Sequence, residues 1–83
     1  MIKITFDPFT PLSILETRQQ HRYTYTEIAE KGGMSKQLAR HAFSGNVESP
    51  AKPTLEGLLN FFTMSDMPIT INDLFVIEND SSN

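Results

Sequence analysis

The spacing of helix-capping residues between Thr24 and Gly45 constrains the fold of this chain more than any other feature of its sequence. Thr24 precedes Glu27 by three residues, which is the capping-box pattern of a helix N-terminus. Gly32-Gly33 can end that helix, because glycine enters the left-handed conformation without a Cβ clash. Ser35 is a good cap for a further helix, which Gly45 can close. The pattern predicts two short helices joined by a glycine turn.

The second of these helices is predicted to run from Lys36 to Phe43 or Ser44. Its polar side chains are Lys36, Gln37, Arg40 and His41. Two short helices joined by such a turn are typical of the helix-turn-helix, which presents the side chains of one helix to the major groove of DNA. No other part of the sequence has a pattern of comparable chemical specificity.

Periodicity and turn residues predict three further helices and one short strand. Ile2–Phe6 alternates apolar and polar side chains, which favours a strand. Leucine and phenylalanine recur at helical spacing over residues 55–62, and Thr54 is the expected cap of that helix. Phe61 lies beside this apolar stripe, so it could belong either to the core or to a dimer interface. The other two helices are predicted from Thr10 or Pro11 toward Arg22, and from Ile71 to about Phe75.

These elements predict an all-α domain of five helices, with a small terminal pair of strands as an addition. A single domain is expected over residues 1–75, with the helix-turn-helix at 24–45. Residues 76–83 are expected to form a short strand-like end and a mobile polar tail. The strand-like segments Ile2–Phe6 and Leu74–Glu78 could pair within one chain or across a two-fold axis, and the second arrangement would build a dimer.

Composition limits the classes of protein to which the chain can belong. With 39% hydrophobic residues the composition is globular, and the absence of cysteine excludes disulfides and thiolate metal sites. The two histidines have no supporting carboxylate pattern, so we expect no metal and no cofactor. No apolar run approaches the roughly 18–20 residues needed to cross a bilayer, and the N-terminus lacks the organisation of a signal peptide. We therefore expect a cytoplasmic protein without a membrane partner.

The net charge of −3 is unevenly distributed along the chain. Residues 1–46 contain six basic and four acidic side chains, whereas residues 47–83 contain one basic and six acidic side chains. The half with the predicted helix-turn-helix is therefore basic and the remainder is acidic. Distant acidic charge does not prevent phosphate contact, because a Debye length of about 8 Å screens it at physiological salt.

Several short motifs occur in the order and approximate spacing of a known family. Together they resemble the Cro/cI-type helix-turn-helix family, also called the XRE family, over roughly residues 11–75. The resemblance implies a five-helix, lambda-repressor-like DNA-binding domain. The motifs are T-x-x-E-I-A at 24–29, A-x-x-x-G at 29–33, Met34-Ser35, Gly45, P-T-L-E-x-L-L at 53–59 and I-T-I-N-D-L-F at 69–75.

Three positions depart from the family pattern. Ala39 and Ala42 stand where the family usually places larger aliphatic residues, so either Phe43 fills that volume or the third helix lies closer to its neighbours. Gly32 stands where the family usually has leucine, which costs about 1 kcal/mol of helix preference.

The resemblance implies that side chains at the start of the third helix reach base edges. Gln37 can pair bidentately with adenine, and Arg40 or Lys36 can pair with guanine O6 and N7. Leu38, placed on the exposed face by its spacing, could touch a thymine methyl group. The alternative for these side chains is an ordinary solvated helix face. The candidates for DNA backbone contact are Thr24, Tyr25, Ser35, His41, Ser44 and Asn46.

The sequence predicts a sequence-specific DNA-binding transcriptional regulator: a small repressor that binds a palindromic operator as a homodimer through residues 36–44. Double-stranded DNA is the expected partner. One alternative is an antitoxin that binds a toxin and represses its own operon; another is a protein-binding helix-turn-helix module without DNA affinity. We do not expect an enzyme, because no nucleophile with a base at recognisable spacing, phosphate loop or metal cluster is found.

Overall fold

The computed structural model describes residues 1–79 and combines four α-helices with a two-stranded antiparallel sheet. Of the strand-like end and mobile tail predicted at 76–83, residues 76–79 belong to a strand and residues 80–83 lie outside the described residues. Along the described residues, the elements are β1 (Ile2–Phe6), α1 (Phe9–Gln19), α2 (Tyr25–Gly32), α3 (Lys36–Ala42), α4 (Lys52–Met64), a 3₁₀ turn (Ile71–Leu74) and β2 (Phe75–Asn79).

The expected five-helix, all-α fold is wrong, because the fifth predicted helix is a single 3₁₀ turn followed by a strand. The Thr70 amide donates to Asp73 Oδ2 at 2.9 Å, which fixes the start of this turn. After Leu74 the chain continues as Phe-Val-Ile, and aromatic and β-branched side chains favour a strand. The backbone N–H and C=O groups of this segment pair with β1, so they are not available for the hydrogen bonds of a longer helix.

β1 and β2 pair within one chain, which decides between the two arrangements that the sequence left open. The register joins Phe6 to Phe75 at the inner end of the sheet and Ile4 to Ile77 at its middle. At the inner end, the Asp7 amide donates to the Leu74 carbonyl at 2.7 Å and ties the sheet to the 3₁₀ turn. The two ends of the domain are thereby joined.

Two helices begin earlier than the sequence predicts. Asp7, rather than Thr10, caps α1: its Oδ1 accepts from the amides of Phe9 at 3.1 Å and Thr10 at 3.2 Å. α4 begins at Lys52, and Thr54 is buried within its first turn, so Thr54 is not its cap. Proline is tolerated in the first turn of a helix, because the amides of that turn have no acceptor within the helix.

The core lies between α4 and the surrounding helices. Phe61 and Phe62 of α4 are fully buried, and their ring centroids are 5.0 Å apart. Phe61 also contacts the ring of Tyr23, so it belongs to the core and is not available for a dimer interface. Burial of one such side chain stabilises the folded state by about 1.5–3 kcal/mol. The core is completed by Phe6, Leu15, Ile28, Ala29, Ala39, Ala42, Phe43, Leu58, Met67 and Leu74.

α2 and α4 approach closely at two glycines. A Cβ added to Gly32 would lie 2.5 Å from the carbonyl oxygen of Gly57 and 2.8 Å from Met34 Cε. A Cβ on Gly57 would lie 2.7 Å from the same Met34 carbon. The close approach explains why glycine replaces the larger residue that the resemblance led us to expect at Gly32. It also fixes α2 against the core.

No helix within residues 1–79 is long and apolar enough to cross a membrane.

Candidate nucleic-acid interface

The N-terminus of α2 is fixed by the capping box that the sequence predicted. Thr24 Oγ1 accepts from the Glu27 amide at 3.2 Å, and the Thr24 amide donates to Glu27 Oε1 at 3.0 Å. The other carboxylate oxygen of Glu27 lies 2.9 Å from His21 Nε2. The Thr24 amide, followed by the His21 ring, holds the pKa of the Glu27 carboxyl below its ordinary value. These contacts tie the start of α2 to the segment that follows α1.

The turn between α2 and α3 is built by one glycine and one serine. Gly33 has a φ of +67°, and the next amide, of Met34, donates to the Ala29 carbonyl at 3.0 Å. Ser35 Oγ then accepts from the Leu38 amide at 3.0 Å and caps α3. Both predicted caps are confirmed. Both bonds join residues at most five positions apart, so they fix the local path of the chain from α2 into α3.

α3 has an inner and an outer face. Ala39 and Ala42 are fully buried on the inner face. Phe43, just beyond the helix, is also buried, and its ring meets that of Phe9 edge to face at 5.6 Å between centroids. A large buried side chain therefore follows the two alanines, as one of the two alternatives for this helix required. The exposed outer side chains are Lys36, Gln37, Arg40 and His41, and α3 contains no carboxylate. We call these four side chains the outer face of α3.

Within residues 1–79, Arg40 is the one member of this outer face whose side chain makes a hydrogen bond, ion pair or ring contact with another helix. Its Cζ lies 5.8 Å from the ring centroid of Tyr25, the first residue of α2. A guanidinium at this distance is attracted by the ring. Tyr25, predicted either to contact the DNA backbone or to pack on the first helix, therefore also restrains Arg40. No spacing rule links the two residues, because they lie on different helices.

Leu38 is half-buried, so the exposed position expected from its spacing is wrong. It lies between the outer face and the buried alanines. The Leu38 side chain is therefore not part of the exposed outer face.

The six candidates for backbone contact all lie at the surface, but three of their hydroxyl groups already accept hydrogen bonds. Thr24 and Ser35 act as helix caps. Ser44 Oγ accepts from the Asn46 amide at 3.2 Å, across Gly45, whose φ is +84°. The surface positions are those of Thr24, Tyr25, Ser35, His41, Ser44 and Asn46.

Within residues 1–79 there is no group of three or more histidine, aspartate or glutamate side chains that could hold a metal ion.

Comparison with known proteins gave no match to a family model, to a curated protein or to a solved structure. The resemblance to the Cro/cI-type family thus stays a prediction from the sequence.

Proposed function

We propose that this chain is a sequence-specific DNA-binding transcriptional regulator, a small repressor that places α3 in the major groove of its operator. The observation that carries the proposal is the division of α3 into two faces. The inner face is held in the core by Ala39 and Ala42, and the outer face presents Lys36, Gln37 and Arg40 to solvent. A short helix held in this way can offer a fixed set of donors and acceptors to base edges.

The side chains of the outer face suit the chemistry of the major groove. The amide of Gln37 can both accept and donate, which matches adenine N6 and N7. The guanidinium of Arg40 can donate twice to guanine O6 and N7, and Lys36 can donate to guanine or to a phosphate. Because Tyr25 restrains Arg40, less side-chain entropy is lost when Arg40 binds.

The groups around α3 suit contacts with the DNA backbone. Such contacts set the position of the protein on the duplex and carry little sequence information. Tyr25, His41 and Asn46 are exposed on either side of the outer face. The hydroxyl groups of Thr24, Ser35 and Ser44 complete the proposed set, because these residues are exposed although each hydroxyl oxygen already accepts one backbone hydrogen bond.

A homodimer on a palindromic operator is part of the proposal. A seven-residue helix can contact only a few base pairs in one half-site. A dimer that binds two half-sites about 34 Å apart contacts more base pairs and is therefore more specific. A regulator of this kind acts where the DNA lies, which for this chain we take to be the cytoplasm.

A second candidate is a protein-binding module without DNA affinity. The observation that favours it is the charge of residues 47–83, which carry six acidic side chains and one basic one. The effect of salt on binding separates the two functions. The logarithm of DNA affinity falls linearly with the logarithm of the salt concentration, with a slope of about 0.9 for each phosphate contacted.

The test of the proposed function is selection of duplexes from a random library, followed by fluorescence anisotropy of the selected duplex at two salt concentrations. We expect salt-sensitive binding that exceeds the binding of a random duplex. Gln37→Ala and Arg40→Ala should each weaken binding of the selected duplex by about 1–3 kcal/mol and relax specificity at one base pair.

Two exposed residues of α4 provide matched controls. Asn60→Ala removes an amide, and Lys52→Ala removes a positive charge. Both should bind the selected duplex like the unmodified protein. Equal binding by all four variants would reject the assigned reading helix. The absence of any binding at low salt would reject the proposed function and favour a protein partner.

A further inference from the structure

The sheet formed by β1 and β2 has an apolar face that projects beyond the core. We call this sheet the terminal ribbon. Ile2, Ile4 and Ile77 lie on this face and are 66%, 61% and 68% exposed. Alternate residues of a strand point to opposite faces, so these three share the face on which Phe6 and Phe75 lie. Three large aliphatic side chains are thus in contact with water on one surface.

The inner end of this apolar face is buried in the core, and its outer end is exposed. At the inner end of the ribbon, Phe6 is buried and its ring centroid lies 5.5 Å from that of Phe75. Two register steps outward, at the next pair on the same face, Ile4 and its partner Ile77 are mainly exposed. The described residues measure 44 × 26 × 19 Å, with a radius of gyration of 13.2 Å against about 12 Å for a compact domain of this length. These dimensions fit a domain from which a ribbon extends.

The opposite face of the terminal ribbon is mainly polar. Lys3 stands opposite Glu78 in the register, and Thr5 stands opposite Val76. Strands with one apolar and one polar face normally cover the apolar face with protein. Within residues 1–79 the larger part of Ile2, Ile4 and Ile77 has no protein against it. The described part of the chain thus leaves this face in need of a cover.

We propose that this cover is the same face of a second copy of the chain, so that two terminal ribbons pack face to face across a two-fold axis. A two-fold interface uses one patch on both subunits, so the patch must complement itself. An uncharged isoleucine surface does so, because it brings no like charges together. The choice of a second copy also rests on the proposed function, which requires two reading helices.

The size of the patch predicts how tightly the copies associate. The exposed parts of three isoleucines amount to a few hundred Å², about the size of the largest apolar patch on a typical monomer, which is often functional. A stable interface buries about 800 Å² on each partner. The ribbon dimer is therefore weak, in the micromolar range or above, and binding of both subunits to one operator strengthens it.

Sedimentation equilibrium from micromolar to millimolar concentration tests the proposal without DNA. The unmodified chain should show a reversible monomer–dimer equilibrium. The double substitution Ile4→Thr and Ile77→Thr keeps β-branched side chains but removes apolar surface, and should weaken the dimer by about tenfold or more. Val76→Thr, the same kind of change on the opposite face, should leave the dimer unchanged.

Cysteine cross-linking provides a second measurement that does not depend on a destabilising substitution. The chain has no cysteine, so a single introduced thiol reports one position. Ile77→Cys should give disulfide-linked dimers on mild oxidation, whereas Glu78→Cys, on the opposite face, should remain monomeric. A strictly monomeric unmodified chain, or equal cross-linking of both variants, overturns the ribbon dimer.

The outcome is distinct from that of the DNA test. If the chain is monomeric but binds a duplex in a salt-sensitive and Gln37-dependent manner, the ribbon dimer is wrong and the proposed function stands. If the chain dimerises through Ile77 but binds no duplex, the ribbon dimer stands and its link to DNA binding is wrong.

Discussion

The guanidinium carbon of Arg40 on α3 lies 5.8 Å from the ring centroid of Tyr25 on α2, so the first residue of one helix restrains a candidate base-reading side chain of the other. The two helices of the motif are thereby joined at their exposed surface as well as through the core. The relationship gives Tyr25 a role that a purely backbone-contacting residue would not have.

Substitution of Tyr25 tests this role. Tyr25→Leu removes the ring, and we expect a loss of about 0.5–1 kcal/mol in operator binding, together with weaker discrimination at the base pair that we propose Arg40 to read. Tyr25→Phe keeps the ring and loses only the hydroxyl group, so it should retain that discrimination. Competition binding with operators substituted at single base pairs measures both effects. Equal discrimination by the Tyr25→Leu and Tyr25→Phe variants would show that the ring does not position Arg40.

The capping box of α2 should contribute measurably to stability. Thr24→Ala leaves the Glu27 amide without its acceptor, and we expect the free energy of unfolding to fall by about 1 kcal/mol. Thr26→Ala, at an exposed position within the same helix, removes the same atoms without removing a cap, so it should be neutral or slightly stabilising. Urea denaturation followed by circular dichroism compares them. Similar losses in both variants would contradict the capping role.

The lowered pKa of Glu27 makes part of the stability dependent on pH. The Thr24 amide and the His21 ring favour the ionised carboxylate in the folded state, so its folded pKa lies below its unfolded value. The resulting stabilisation is complete above the ordinary carboxyl pKa and is lost as the pH falls through the folded pKa. The unmodified protein should therefore lose stability on acidification faster than Glu27→Gln.

The measurement is urea denaturation of both proteins from neutral to acidic pH, with Glu30→Gln on the same helix as a control for a lost charge. The stability difference between the unmodified protein and Glu27→Gln should shrink at acidic pH. A difference that is constant with pH would show that ionised Glu27 contributes no stability through these contacts.

The approach of α2 to α4 predicts unequal costs for two alanine substitutions. In Gly32→Ala the new Cβ would meet a backbone carbonyl oxygen at 2.5 Å, so the helices themselves must move apart. In Gly57→Ala the nearest atom, at 2.7 Å, is the terminal carbon of Met34, which can rotate away. We expect Gly32→Ala to destabilise by about 1–3 kcal/mol, despite the better helix propensity of alanine, and Gly57→Ala to destabilise less. Thermal denaturation of the two variants gives the order, and the reverse order would contradict the crossing geometry.

The parts of this fold that the sequence predicted correctly depend on contacts between near neighbours. Thr24 reaches Glu27, and Ser35 reaches the Leu38 amide, each within a single turn of helix. Gly33 ends α2 through its own backbone conformation. Such contacts are fixed by residue type and spacing, so they can be read without knowledge of the remaining chain.

The conformation of the fifth predicted helix could not be predicted from contacts between near neighbours. The sequence predicts a helix from Ile71 to about Phe75, but strand pairing with Ile2–Phe6, at the other end of the described chain, limits it to the 3₁₀ turn Ile71–Leu74. A contact across almost the whole sequence outweighs the local preference of a few residues.

The sequence by itself therefore determined where α2 begins and ends, where α3 begins, and which polar side chains α3 carries. The predicted end of α3 was wrong, because the helix ends at Ala42, before the Phe43 or Ser44 expected from Gly45. Only the tertiary structure decided that Gly32 must lack a side chain and that Tyr25 lies beneath Arg40. It also decided that the isoleucines of the terminal ribbon are exposed on one face. The physical reason is that each of these features joins segments far apart in the chain, and their approach depends on how the whole core packs.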